Sequence, residues 1–196
     1  MIYVVGLGNP GAEYRQTRHN CGYRVIARLA EEMGVRLRAG RGDYMSGRGP
    51  SPRTPLTLVL PLTYMNASGT AVMEALSETG GLASELLVVC DDVNLDLGQL
   101  RIRRSGSDGG HNGLASIIRS LGTTKFPRLR MGVGREPAGV DMADYVLEAF
   151  GPDETEEAEK MVTRASEAVR HIVARGIGNA MTIYNQWESP QGPTES

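Results

Sequence analysis

Cysteine is scarce in this 196-residue chain. The two present, Cys21 and Cys90, stand far apart and form no Cys-x-x-Cys pair. That excludes a disulfide framework and a thiolate zinc site as organising features. Long apolar runs are also missing, and stretches such as Leu86–Cys90 fall well short of the roughly 20 residues that span a bilayer. The chain opens on a strand-like run without the basic and apolar leader of a secretory signal. The expectation is a soluble cytoplasmic protein with no membrane partner. Histidine is rare too, at three residues, so each one is informative.

What is present is a hydrophobic content of 40%, enough for one real core and too much for a disordered chain. The net charge of −2 conceals an uneven distribution. Residues 101–135 carry a net +7 and residues 136–196 a net −8, while the nine arginines before residue 100 all fall between Arg15 and Arg53. Clustered arginine is the electrostatic footprint of a polyanion partner. A solvated surface in a chain with 19 Arg against 2 Lys is the plainer alternative.

Strand and helix signals alternate along the chain. Ile2–Val5 reads as a buried strand, followed by a glycine-rich turn and a helix over Cys21–Met33 closed by Gly34. Residues 35–55 read as a loose hairpin or surface loop. Leu56–Leu60 is a second apolar strand, and Ser68 is placed to cap a helix over Gly69–Thr79. Leu86–Val89 is a third, ending at Cys90-Asp91-Asp92. Gln99–Arg103 alternates apolar and basic residues as a half-exposed strand does. A helix begins at His111 or Asn112 and stops at Gly122. A strand at Leu129–Val133, a long helix over Asp153–Ala174, a short helix near Gly178–Tyr184 and a disordered tail from Glu188 complete the reading. With no repeat and no linker, this predicts one α/β domain over residues 1–187, built on a mixed, mostly parallel twisted sheet flanked by helices.

Several clusters carry chemistry. Gly6-Leu7-Gly8-Asn9-Pro10-Gly11 formally matches the dinucleotide fingerprint G-x-G-x-x-G. Pro10 and a polar loop precede the helix, however, so its N-terminus does not meet the glycines as a pyrophosphate site requires. An NADP site, with Arg36 or Arg38 on the 2′-phosphate, is the minor reading. His19 stands at a helix start with Asn20 beside it; a helix N-terminus disfavours imidazolium and a nearby carboxylate favours it, and together they would hold a base near neutral pH. Asp91-Asp92 ends a buried strand and is open to three roles: metal ligand, histidine partner or turn residue. No cluster has metal-ligand spacing, so no metal is expected. Gly109-Gly110-His111-Asn112-Gly113 opens a helix, either as a plain N-cap or as a set of N–H groups and an amide facing a ligand. Arginines flank it on both sides. Cys21 beside His19 points a different way and makes a poor nucleophile.

These motifs together resemble the bacterial peptidyl-tRNA hydrolases. The resemblance runs through Gly6–Gly11 with Tyr14 and Thr17-Arg18-His19-Asn20. It continues with Thr63-Tyr64-Met65-Asn66-Ala67-Ser68-Gly69 and with Asp91-Asp92 followed by Leu95. It closes with Gly109-Gly110-His111-Asn112-Gly113-Leu114 and Arg128-Leu129-Arg130-Met131-Gly132-Val133-Gly134. The order is kept from residue 2 to about residue 185. Two departures stand out: Asn94-Leu95-Asp96-Leu97-Gly98 replaces the family's Asp-Leu-Pro, and Arg103 stands where lysine is common.

The resemblance implies hydrolysis of the ester between a peptide and the terminal ribose of tRNA, without cofactor. It implies His19 as general base, Asp91 as its orienting carboxylate and Asn9 beside the scissile ester. Tyr14, Met65, Asn66, His111, Asn112 and Asn20 are implied as substrate contacts, and Arg103 and Arg130 as the basic pair for tRNA phosphate. The implied partner is the acceptor stem and 3′ end of peptidyl-tRNA, bound by a monomer. A non-catalytic RNA-binding relative of the same fold is the alternative.

Overall fold

The computed structural model describes residues 1–50 and 54–187. A seven-stranded sheet runs in the order β2-β3-β4-β1-β5-β7-β6. Its centre is four parallel strands: β1 (Ile2–Gly6), β4 (Leu56–Pro61), β5 (Leu86–Asp92) and β7 (Arg128–Gly132). The edges are antiparallel. On one side β2 (Arg38–Ala39) and β3 (Tyr44–Gly49) form a hairpin on β4, and on the other β6 (Leu100–Arg103) pairs with β7. The segment read as a loose hairpin or loop therefore extends the sheet.

Alternation along the strands makes two cores. On one face Val4, Leu87, Val89 and Leu129 pack with Val25, Ile26 and Leu29 of α1 (Cys21–Glu32) and with Met161, Val162 and Val169 of α5 (Thr155–Arg175). The short α6 (Ile177–Tyr184) covers the rest of that face through Ala180. On the other face Tyr3, Val5, Val88 and Cys90 pack with α2 (Ser68–Thr79) and α3 (Asn112–Leu121). All seven residues of β5 are buried, so its carboxyl end is rigid. No helix among the described residues is long and apolar enough to cross a membrane.

The chain leaves β1 through α1 on one face and leaves β4 through α2 on the other. Strand order thus reverses around β1, and its carboxyl end becomes the crevice where open α/β sheets bind ligands. Two expectations are corrected here. Ser68 does not cap α2: Ala67 holds the cap position, and the Ser68 hydroxyl donates to the Met65 carbonyl at 2.9 Å. A short helix, α4 (Met142–Leu147), was not read from sequence at all. The tail from Glu188 lies outside the described residues.

Candidate active site

The glycines after β1 serve close packing. A Cβ on Gly6 would lie 2.2 Å from the Gly22 carbonyl oxygen, and one on Gly22 would lie 2.4 Å from both Leu7 N and Val89 O. Backbone meets backbone there, so the first turn of α1 sits directly on the ends of β1 and β5. A 3-10 turn, Arg18–Asn20, enters α1 and places His19 over the end of β5. Two 3-10 turns separate the glycines from the helix, so no helix N-terminus faces them as the dinucleotide reading would need.

His19 Nδ1 lies 3.0 and 2.9 Å from the two carboxylate oxygens of Asp91. Asp91 accepts, so Nδ1 carries the proton and Nε2 carries the lone pair. Nε2 has no hydrogen-bond partner among the described residues, and His19 borders the cleft. Asp91 also faces His111, whose Nε2 is 3.1 Å from Oδ1. Burial alone would raise the Asp91 pKa. The charge interactions with His19 and His111, and the hydrogen bonds from both, overcome it and hold the carboxyl well below its usual range.

His19, Asp91 and His111 bring three potential metal ligands within 4.8 Å of one another. The donor chemistry does not suit a cation. His111 Nδ1 accepts from the backbone N–H groups of Gly113 and Leu114, at 3.1 and 3.3 Å, as the N-cap of α3. A ring that accepts at Nδ1 keeps its proton on Nε2 and offers no lone pair there. His111 therefore supplies the cap, one of the two starts read from sequence for this helix. The turn before it uses Gly109 and Gly110 at φ 61° and 85°, a region that favours glycine.

Amide side chains line the adjoining cleft, whose volume is about 410 Å³. Asn9 Oδ1 accepts from Met65 N at 2.7 Å, which fixes the flip of the amide and leaves Nδ2 free as a donor. Asn66 and Asn112 border the cleft, are exposed, and make no side-chain hydrogen bond among the described residues. The helices behind them are tied together: Gly69 N–H donates to Ser116 Oγ at 3.0 Å, and a Cβ on Gly69 would lie 2.3 Å from Ser116 O. Tyr14, Tyr64 and Met65 add apolar surface, and Met142, Val146 and Leu147 of α4 form a wall that sequence reading missed.

Asn20 forms an internal clamp. It is 2% exposed and outside the cleft lining. Its Oδ1 accepts from Asn9 N and its Nδ2 donates to Asn9 O, both at 2.9 Å. Cys21 is fully buried, and burial first, then the Asp91 charge, pushes its thiol up to about 12, so it supplies no thiolate.

The arginines divide by role. Arg103 is exposed on β6. Arg130 borders the cleft, with Nε 2.5 Å from Asp92 Oδ2, so its charge is partly offset and its orientation fixed. Arg128 is 1% exposed and pairs with no carboxylate among the described residues. Its guanidinium donates to the carbonyls of Gly106, Ser107, Thr124 and Phe126, which anchors the loop leading to His111.

Comparison with known proteins agrees in sequence and in fold. The sequence profile of the family described as peptidyl-tRNA hydrolase matches residues 3–192. The peptidyl-tRNA hydrolase of Chloroflexus aurantiacus is 46% identical over 187 residues, covering 94% of this chain and 99% of that protein. That of Carboxydothermus hydrogenoformans is 44% identical over 186 residues, covering 95% and 99%. The crystal structure of peptidyl-tRNA hydrolase from Acinetobacter baumannii superposes with a TM-score of 0.89 at 32% identity, covering 96% of each chain. Since the match extends over nearly the whole length on both sides, this chain belongs to the peptidyl-tRNA hydrolase family.

Proposed function

We propose that this protein hydrolyses the ester linking a peptide to the 3′-terminal ribose of tRNA, with His19 as general base. The observation that carries the reading is the pairing of His19 Nδ1 with Asp91, which leaves Nε2 unpartnered beside a cleft lined by free amides. His19 Nε2 takes a proton from a water as its oxygen attacks the ester carbonyl. The new C–O bond forms, and the carbonyl oxygen gains charge facing donors such as Asn9 Nδ2. The ester C–O bond then breaks, and the imidazolium returns the proton to the departing ribose oxygen. Asp91 keeps the ring in the productive tautomer and stabilises the imidazolium. An ester is reactive enough for this without a covalent enzyme intermediate.

Asn66 and Asn112 are neutral donors and acceptors suited to a peptide main chain. They favour an acylated amine over the charged amine of aminoacyl-tRNA. Arg103 and the terminal nitrogens of Arg130 would take tRNA phosphate, a role that the +7 segment supports. In this reading the protein works as a cytoplasmic monomer, returning tRNA to translation.

The test is release of N-acetyl-aminoacyl groups from tRNA by the purified protein in EDTA, with unacetylated aminoacyl-tRNA alongside. His19→Ala is expected to lose about 10²–10⁴-fold in kcat and keep tRNA affinity. Full activity in that variant removes His19 as the base. tRNA binding without release by the wild-type protein would instead identify a non-catalytic RNA-binding relative.

A further inference from the structure

His111 borders the cleft, yet both of its ring nitrogens are engaged by the protein. A hydrogen bond to substrate through the ring, a second base and a metal ligand all need a free nitrogen, and among the described residues both of these nitrogens are taken. Its ring centre is 4.9 Å from that of His19 and tilted by 41°. The other charged or titratable groups bordering the same cleft are Asp91 and Asp92 on β5, Arg130 on β7, Asp108 in the preceding loop and Tyr14, and the buried Cys21 thiol on α1 faces the charge of Asp91.

We propose that His111 is a positioning residue: the start of α3 locks its tautomer, and the resulting Nε2–H clamps Asp91 and shares the charge that Asp91 presents to His19. The inference rests on His19 being the base. Its physical basis is twofold. The bond that rotates a carboxylate is soft, and His19 Nδ1 sits almost equally far from both oxygens, so His19 alone does not fix the rotation. The contact from His111 to Oδ1 does. A donor on the carboxylate also divides its negative charge between two rings, which sets the strength of the bond that holds the His19 ring in place. Asn112 follows directly in the chain, so the same clamp ties an amide of the cleft to the base.

Two substitutions separate the two halves of the ring. In His111→Asn, the side-chain oxygen occupies the place of Nδ1 and keeps the cap, but nothing reaches Asp91. In His111→Gln, the amide nitrogen occupies the place of Nε2 and reaches Asp91, while the cap is lost. The expected result for His111→Asn is near wild-type melting, about tenfold lower kcat and unchanged KM. His111→Gln is expected to melt lower and to regain most of kcat. Wild-type kcat in His111→Asn, or a raised KM with kcat intact in both variants, overturns the proposal. Imidazole ¹⁵N chemical shifts of the intact labelled protein test it without turnover. Nδ1 of His111 is expected bare and Nε2 protonated across neutral pH, and a protonated Nδ1 overturns the tautomer lock. Retained activity in His19→Ala would remove the base reading, while the ¹⁵N shifts would still decide the tautomer.

Discussion

Asp91 serves two imidazoles from a fully buried strand end, so it couples the fold to pH. Its depressed pKa means that the carboxylate stabilises the folded protein above the ordinary aspartate value of about 3.9. That stabilisation is lost as the pH falls through the lower value of the folded state. The stability gap between wild type and Asp91→Asn should therefore be larger at about pH 6 than at about pH 3. Urea midpoints of both proteins at the two pH values measure it, and a gap that widens on acidification contradicts the sign. That His19, Asp91 and Asn9 border one cleft was legible in the sequence, because strand ends and the turns after them are where such side chains collect. The occupancy of each nitrogen was not legible. Asn20 and His111 carry the chemistry of substrate contacts, but Asn20 turns its amide onto the Asn9 backbone and His111 turns its ring onto α3 and Asp91. Only chain closure determines that choice.

At the level of elements, the α4 wall shows what local pattern leaves out. Six residues, following a stretch broken by Gly134, Pro137 and Gly139, give no sustained helical period. The helix persists through tertiary contacts. The Tyr145 hydroxyl donates to the Val133 carbonyl at 3.1 Å, and the Arg18 guanidinium lies 4.2 Å over the Tyr145 ring. Arg18 Nη1 also donates to Ala149 O at 2.7 Å and Nη2 to Glu154 Oε2 at 2.6 Å. Arg18 precedes His19, so one buried side chain ties the His19 turn to the α4 wall and to the segment entering α5. Arg18→Ala should cost about 2–4 kcal/mol in stability, because it strips a buried charge from Glu154 and frees the wall. It should also raise KM more than it lowers kcat. Urea unfolding with steady-state kinetics checks both, and a fall in kcat alone would mean that the wall is not what Arg18 holds. The long helices were readable because each carries an apolar stripe, such as Val25, Ile26 and Leu29 on α1.

Across the whole molecule, charge is segregated along the chain, with the basic block on β6, β7 and the segment between them that includes α3, and the acidic block beyond. This was plain from sequence. Which arginines remain available was not, since Arg128 turns inward to carbonyls and Arg130 is held by Asp92. Arg103 is exposed and free of those ties. Arg103→Ala should lower tRNA affinity at low salt and reduce the slope of log K against log salt by about 1. Binding titrations over a salt series read that slope, and an unchanged slope excludes Arg103 from the phosphate contacts. The strand order has one more consequence. His19 and Asp91 stand 72 positions apart, and His111 lies 20 further on. The dyad therefore cannot form until β5 has docked beside β1, a non-local step of the kind that slows folding. A growing copy of this chain therefore carries His19 long before the carboxylate that meets it in the folded protein, and the pair assembles only once the strand ending at Asp91 and Asp92 is in place.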